Sequence, residues 1–247
     1  YNENNISFSP LKRLKQKYGV DQLDEVIITH PHKDHIDDIF NFDELHPRIL
    51  SRPRIPKDEI LKNSREQDRA LFEKYIQISD RYSDPVEPSE NPLSQENNGG
   101  VKFNIFYPKS QNNSNINNLS SVTVISYADS KIILPGDNES SSWKELIHNP
   151  EFQSAIRGAD ILLASHHGRE SGFYPDLFDY FKPKLTIISD GQVCDTTAVD
   201  RYRKYCQGWK VFHEDIRSED RYCLTTRNDG VIIIKIGYRS DTKPYIQ

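Results

Sequence analysis

Three short apolar runs, each ending on histidine or carboxylate side chains, limit the fold of this chain more than any other feature. Val26-Ile27-Ile28 leads into Thr29-His30-Pro31-His32-Lys33-Asp34-His35. Ile132-Ile133-Leu134 leads into Pro135-Gly136-Asp137, and Ile161-Leu162-Leu163 leads into Ala164-Ser165-His166-His167-Gly168. Leu185 to Ile188 is another run of this kind, followed by Ser189-Asp190-Gly191. Short branched runs bounded by turn signals are buried strands by pattern. Mixed with helical periodicities, they predict a layered α/β protein.

The other segments fit that class. Residues 9–19 predict a helix, with Ser9 as N-cap, Pro10 at its first position and Gly19 at its end. Residues 58–79 predict a second, longer helix, and residues 80–100 a loop rich in Pro, Ser, Asn and Glu. Val101 to Tyr107 alternates as a strand, and an Asn-rich loop covers 111–118. Val122 to Tyr127 and Lys131 to Leu134 predict a hairpin around Asp129-Ser130. Helical patterns follow at 142–156, 175–181 and 195–206, and Val231 to Ile236 predicts a final strand. No internal repeat or targeting motif is present. The 247 residues suit a single domain over 1–247 with an insertion around 80–118.

Composition excludes several classes. Hydrophobic residues make up 35% and charged residues 28%, with a mean hydropathy of −0.74. No stretch approaches the roughly 20 apolar residues of a membrane span. A net charge of −5 argues against coating nucleic acid by bulk charge. Cys194, Cys206 and Cys223 are odd in number and lack CxxC spacing, which fits plain thiols in a reducing, cytoplasmic setting. The chain starts at Tyr1 and has no Met, where ordinary usage gives about five. A fragment of a longer chain is the expectation.

The chemistry sits at the strand ends. In an extended segment, residues two apart point the same way, about 6.5 Å from each other. The imidazoles of His30 and His32 can thus meet one ion at about 2.0–2.1 Å each. Asp34 and His35 follow where the chain turns and can face a second ion. A His-rich surface loop is the plain alternative. Asp137 suits a bridging carboxylate, or else caps the segment that starts at Asn138-Glu139-Ser140. Of the adjacent histidines, His166 is the preferred ligand, and His167 either supports a ligand from behind or contacts substrate or transition state, although the two assignments can be exchanged. Either one alone also fits an ordinary core or surface histidine.

The order strand–HxHxDH, strand–GD, strand–HHG resembles the metallo-β-lactamase fold superfamily. Leu163-Ala-Ser-His-His-Gly-Arg-Glu-Ser171 and Lys182-Pro-Lys-Leu-Thr-Ile-Ile-Ser189 resemble more closely the hydrolase domain of ComEC-type DNA-uptake proteins. So do Asn117-Asn118-Leu-Ser-Ser-Val122 and Leu224-Thr-Thr-Arg-Asn-Asp-Gly-Val-Ile-Ile233. The resemblance covers roughly residues 22–236. It implies a four-layer αββα sandwich (the metallo-β-lactamase fold) and one or two divalent ions per chain, Zn2+ or Mn2+, that activate water for hydrolysis. Carried over by position, His30 and His32 hold the first ion, Asp34, His35 and His166 the second, and Asp137 bridges. Two departures stand out. The further His that most members place between HxHxDH and GD is missing, since His46 lies too close to His35; Asn118 stands at the matching place. An amide oxygen is a harder, weaker donor than imidazole, so the first ion is expected to be loosely held or to be manganese. The first strands of the fold are absent as well, in keeping with a missing beginning.

In the mechanism that follows from this resemblance, Asp34 orients the attacking water and accepts its proton. His167 and the ions stabilise the developing oxyanion. Arg169 meets a phosphate, with Ser171 or Ser165 as further donors and Asn118 as a further substrate contact. The ComEC-type branch makes DNA the expected substrate, in an uptake or prokaryotic defence module with other domains or subunits. Arg48, Arg52, Arg54 and Lys57, and Arg201-Tyr202-Arg203-Lys204-Tyr205, suit a nucleic-acid face. Each is equally a solvated face. Two other readings are a small-molecule hydrolase (thioester, lactone or cyclic nucleotide) with 80–118 as a lid, and a weakly active interaction module. Asp190-Gly191 reads as a turn, His213 as structural, and Trp143 and Trp209 as core or rim aromatics. Neither GxGxxG nor a P-loop is present.

Overall fold

A hydroxyl followed by proline starts a helix readily, because the hydroxyl accepts an otherwise unmatched amide and proline needs none. In the computed structural model, Ser9 Oγ accepts from the Lys12 N–H at 3.1 Å, and Pro10–Tyr18 forms α1. Gly19, at φ +64°, closes it in the left-handed conformation. The structure describes residues 8–62, 64–109, 115–191, 197–241 and 243–247. Its backbone divides into two units, Tyr1–Pro92 and Leu93–Gln247.

In the first unit, β1 (Glu25–Ile27) pairs in parallel with a strand at Ile49–Ser51, and the Ile28 N–H still donates to the Ser51 carbonyl at 2.9 Å. Between them, α2 (Lys33–Ile36) starts directly after His32. The strand at Ile49–Ser51 is β2. The helix expected over 58–79 is two helices, α3 (Lys57–Lys62) and α4 (Arg69–Arg81). Between them the Ser64 hydroxyl donates to the Leu61 carbonyl at 2.7 Å, a local bond that competes with the helix ladder. The core of this unit gathers Ile28, Ile36, Phe42, Leu50, Phe72, Tyr75 and Ile78.

The second unit is built on one mixed sheet. Its strands are β3 (Lys102–Phe106), β4 (Val122–Tyr127), β5 (Ser130–Leu134), β6 (Ile161–Leu163) and β7 (Leu185–Ile188). The sixth is β10 (Cys223–Thr225), after the hairpin β8 (Trp209–Phe212) and β9 (Ser218–Arg221). The order is β10-β7-β6-β5-β4-β3. Pairings are parallel from β10 to β5 and antiparallel from β5 to β3. The predicted hairpin turns at Ala128-Asp129, whose φ values of 47° and 53° both lie in the left-handed region, as a two-residue turn with the sheet's twist requires.

Period-two alternation sends side chains to opposite faces of this sheet. Val122, Val124, Ile133, Leu162 and Ile188 pack on one face with α5 (Ser140–Leu146), α6 (Pro150–Ile156) and α7 (Val199–Tyr205). Ile161, Leu185, Ile187 and Leu224 pack on the other, against Trp209, Val211, Ile232, Ile234 and Ile246. The α/β class read from the sequence therefore holds. The helix expected over 142–156 breaks because Pro150 starts a new one, capped by Asn149. Pro175–Asp179 is a 3-10 turn where a helix was expected. The helix expected over 195–206 is α7, with residues 195 and 196 outside the described ones. The final strand expected over 231–236 is largely not one: only β11 (Ile236–Tyr238) is paired, antiparallel to β12 (Pro244–Ile246), and the pairing stops at the reciprocal Lys235–Gln247 hydrogen bonds. Cys206 and Cys223 are buried free thiols, and burial pushes Cys223 up to about 12; Cys194 lies outside the described residues. No helix of the described residues is long and apolar enough to cross a membrane.

Candidate functional site

Each unit carries its own imidazole and carboxylate cluster. In the first, β1 delivers Thr29 and His30, and the first turn of α2 folds His35 back toward them. The His35 N–H donates to the His32 carbonyl at 3.0 Å. The His30 ring centroid lies 4.7 Å from that of His32 and 4.1 Å from that of His35. His30 is fully buried. Thr29 Oγ1 stands 3.3 Å from His30 Nδ1 and 3.1 Å from His35 Nδ1. A hydroxyl has two lone pairs and can accept from both Nδ1–H groups, which leaves both Nε2 lone pairs for a cation. Asp34 Oδ2 lies 3.7 Å from His35 Nε2, on a side chain that also reaches solvent.

In the second unit, Gly136, at φ +59°, turns the chain after β5. The Asp137 N–H donates to Ser120 Oγ at 3.1 Å, and Asp137 is buried. It does not cap α5. That task falls to Asn118, whose Oδ1 accepts from the Glu139 N–H at 3.1 Å and from the Ser142 hydroxyl at 2.9 Å. Asp137 Oδ2 instead lies 3.9 Å from His166 Nε2 and 3.8 Å from His167 Nε2. Two donors on one ion at a tetrahedral angle stand about 3.4 Å apart, so Asp137 lies at nearly ligand spacing from each imidazole, while the two rings stand 6.4 Å apart between centroids.

The backbone at this point is strained. His166, His167 and Gly168 have φ values of 50°, 54° and 74°. Each non-glycine residue in that region costs about 1–3 kcal/mol and persists only where its surroundings hold it. Here the His166 N–H donates to the Gly136 carbonyl at 3.2 Å, the Ser165 hydroxyl to the Asn138 carbonyl at 2.5 Å, and the Ala198 N–H to the Gly168 carbonyl at 3.0 Å.

Hydrogen bonds define both tautomers. His167 Nδ1 lies 2.7 Å from the Ser189 carbonyl, which only accepts, so Nδ1 carries the proton and Nε2 the lone pair. His166 Nδ1 lies 3.0 Å from Glu139 Oε1 and 3.0 Å from Ser171 Oγ. On its other side, Arg169 Nη1 donates to Nε2 at 3.0 Å, which requires the same tautomer. Burial pushes His166 below the usual imidazole range, against the pull of Asp137 and Glu139, and so favours the neutral ring a cation needs.

The residues expected at the site thus fall as follows. His30, His32, Asp34 and His35 cluster in the first unit, and Asp137, His166 and His167 in the second, with Arg169 and Ser171 on His166. Ser165 and Asn118 hold backbone turns. Three contributors carried little signal. Thr29 is a lone hydroxyl before the first histidine, and Glu139 follows Asp137 by two. Gly172 accepts from Trp143 Nε1 at 3.1 Å and closes the loop behind His166. Asp190 does more than turn the chain. Its buried carboxylate pairs with Arg227 at 3.2 Å and ties β7 to the segment after β10. His213 pairs at the surface with Glu219 at 3.1 Å.

The two basic stretches are largely committed elsewhere. Arg52 is buried and donates to the Leu50 and Tyr82 carbonyls at 2.9 Å each. Arg48 pairs with Asp24 and Lys57 with Asp80. Arg201 pairs with Glu170 and stacks 4.0 Å above Phe173. Tyr202 is buried in the core, and half-buried Tyr205 has one face stacked on Phe178.

No family model matches this chain. It is similar to ComE operon protein 3 of Bacillus subtilis (strain 168), with 25% identity over 185 residues, 70% of this chain and 21% of that protein. The chain therefore spans about a fifth of the length of the curated relative it matches.

Proposed function

We propose that this protein is a metal-dependent hydrolase, a phosphodiesterase or nuclease acting on DNA, and that its two units form one domain of the metallo-β-lactamase fold. His30, His32, Asp34, His35, Asp137 and His166 would hold the metal. Bound there, one or two Zn2+ or Mn2+ ions per chain would supply Lewis-acid polarisation and lower the pKa of a water molecule. Asp34 would orient the attacking water and take its proton at the exposed carboxylate. His167 presents a lone pair at Nε2, 3.8 Å from Asp137, so it must carry a second proton before it can donate to an oxyanion. Arg169 would contact the phosphate, with Ser171 beside it on His166; Asn118, buried and capping α5, would support the substrate side only through that helix start. The observation that carries the reading is that the Nδ1 atoms of three of the proposed ligands, His30, His35 and His166, rest on non-ligand oxygens. Metal-binding histidines are oriented in this way, by a partner at the other ring nitrogen. The match to ComE operon protein 3, a ComEC-family relative, supports the branch and with it DNA as substrate.

The test is elemental analysis of the purified protein, followed by cleavage assays on DNA with zinc, manganese or magnesium. Metal at or above one ion per chain is expected, with activity lost on chelation. His32→Ala should lose more than the about 100-fold that removing an outer partner costs. Full activity of His32→Ala or of stripped protein would overturn the proposal. The internal pairing of Arg48, Lys57 and Arg201 favours a second reading, hydrolysis of a small phosphodiester, thioester or lactone. Turnover of a cyclic nucleotide without DNA cleavage would select it.

A further inference from the structure

We infer that Glu139 is a positioning residue for His166, fixing the tautomer and ring orientation that turn Nε2 toward Asp137. The inference rests on the reading of His166 as a metal ligand. Of the two groups at His166 Nδ1, Ser171 Oγ can donate or accept and leaves the proton's place open. The Glu139 carboxylate, in ion-pair contact 3.0 Å from Nδ1, can only accept, and together with the Arg169 donor at Nε2 it places the hydrogen on Nδ1. The carboxylate is itself held from both sides. Asn117 Nδ2 donates to Oε1 at 3.1 Å and Asn115 Nδ2 to Oε2 at 3.0 Å. Its backbone N–H is tied to Asn118 at 3.1 Å. The asparagine-rich turn before β4 thus acts on the His166 loop through one acidic side chain. Without Glu139, Ser171 is free to donate to Nδ1. The proton is then kept on Nδ1 by Arg169 alone, and the share that moves to Nε2 opposes the Arg169 guanidinium and removes the lone pair.

The test uses the full chain, labelled with 15N and kept metal-free, with two-bond proton–nitrogen couplings read for His166. Wild type should show a protonated Nδ1 and a bare Nε2. Glu139→Ala should shift the signals toward the other tautomer and weaken Zn2+ binding, measured by competition with a chelator, by about 10- to 100-fold. Glu139→Gln keeps an acceptor at Nδ1 and should keep the tautomer with a smaller loss of affinity. A role confined to holding the turn would change thermal stability and leave the tautomer alone. Wild-type spectra together with wild-type zinc affinity in Glu139→Ala would overturn the inference. If wild type binds no zinc while Glu139→Ala still changes the tautomer, the hydrolase reading fails and the positioning role stands.

Discussion

A Cβ added at Gly172 would stand 2.5 Å from the Ser165 carbonyl oxygen and 2.9 Å from the His166 Cβ. Both are backbone or near-backbone atoms of the strained turn, so neither can move aside cheaply. Gly172→Ala should cost about 1–3 kcal/mol, the range of overpacking, and should weaken metal binding through His166. Thermal unfolding and a zinc titration check both effects; an unchanged Tm would show that the loop relaxes freely. Glu25 offers a test in the first unit alone. Burial raises its carboxyl above the ordinary 4.5, partly offset by the Ser51 hydroxyl that donates to it. Between the ordinary and the raised value the folded chain holds more protons than the unfolded one. Its contribution to stability therefore falls as pH rises through that window and stays lower above it. Glu25→Gln should remove this component, seen as a smaller drop in Tm as pH rises from 4.5 through that window. A pH profile identical to wild type would contradict the assignment.

Helix starts and turns were the most legible elements, because their determinants are local. Ser9 lies where the sequence predicts, but it also donates to Asp38 Oδ2 at 2.9 Å, which no spacing rule reveals. Ser9→Ala should cost about 1 kcal/mol in chemical denaturation. No loss would show that Asp38, which also accepts from the Leu11 N–H at 2.9 Å, caps α1 by itself. Long helical patterns were overextended at 58–79 and 142–156, where Ser64 and Pro150 interrupt runs whose apolar spacing continues across the break. The β-branched run from Val231 failed as a strand for a different reason. Propensity supplies the residues for a ladder, whereas pairing needs a neighbour alongside.

For the molecule as a whole, the proposal draws ligands from both units, and mass action gives it a test. At metal concentrations about 100 times Kd, unfolding should become harder by about 2.7 kcal/mol. Limited proteolysis should show protection in residues 1–92 and in 93–247 together. Protection confined to one unit would sink the shared centre while leaving a local site. Because Arg52 is buried while Arg48, Lys57 and Arg201 sit in exposed ion pairs with carboxylates of this chain, these stretches neutralise at most a few phosphates, and any DNA binding through them should depend only shallowly on salt. A steep dependence would point to cationic groups outside these stretches.

The sequence alone determined the mixed α/β class, the strand ends that carry His30, His32, Asp137 and His166, and the donor chemistry of the candidate site. Residue type, period and short-range turn signals suffice for these. Only the tertiary structure decided that Asp137 faces two imidazoles and that Asn118 caps α5 in its place. It alone turned Arg52 and Tyr202 inward and set Thr29 and Glu139 behind the histidines. These outcomes depend on which polar atoms from distant stretches meet where water is excluded. There every donor and acceptor must find a partner, and no local pattern names it.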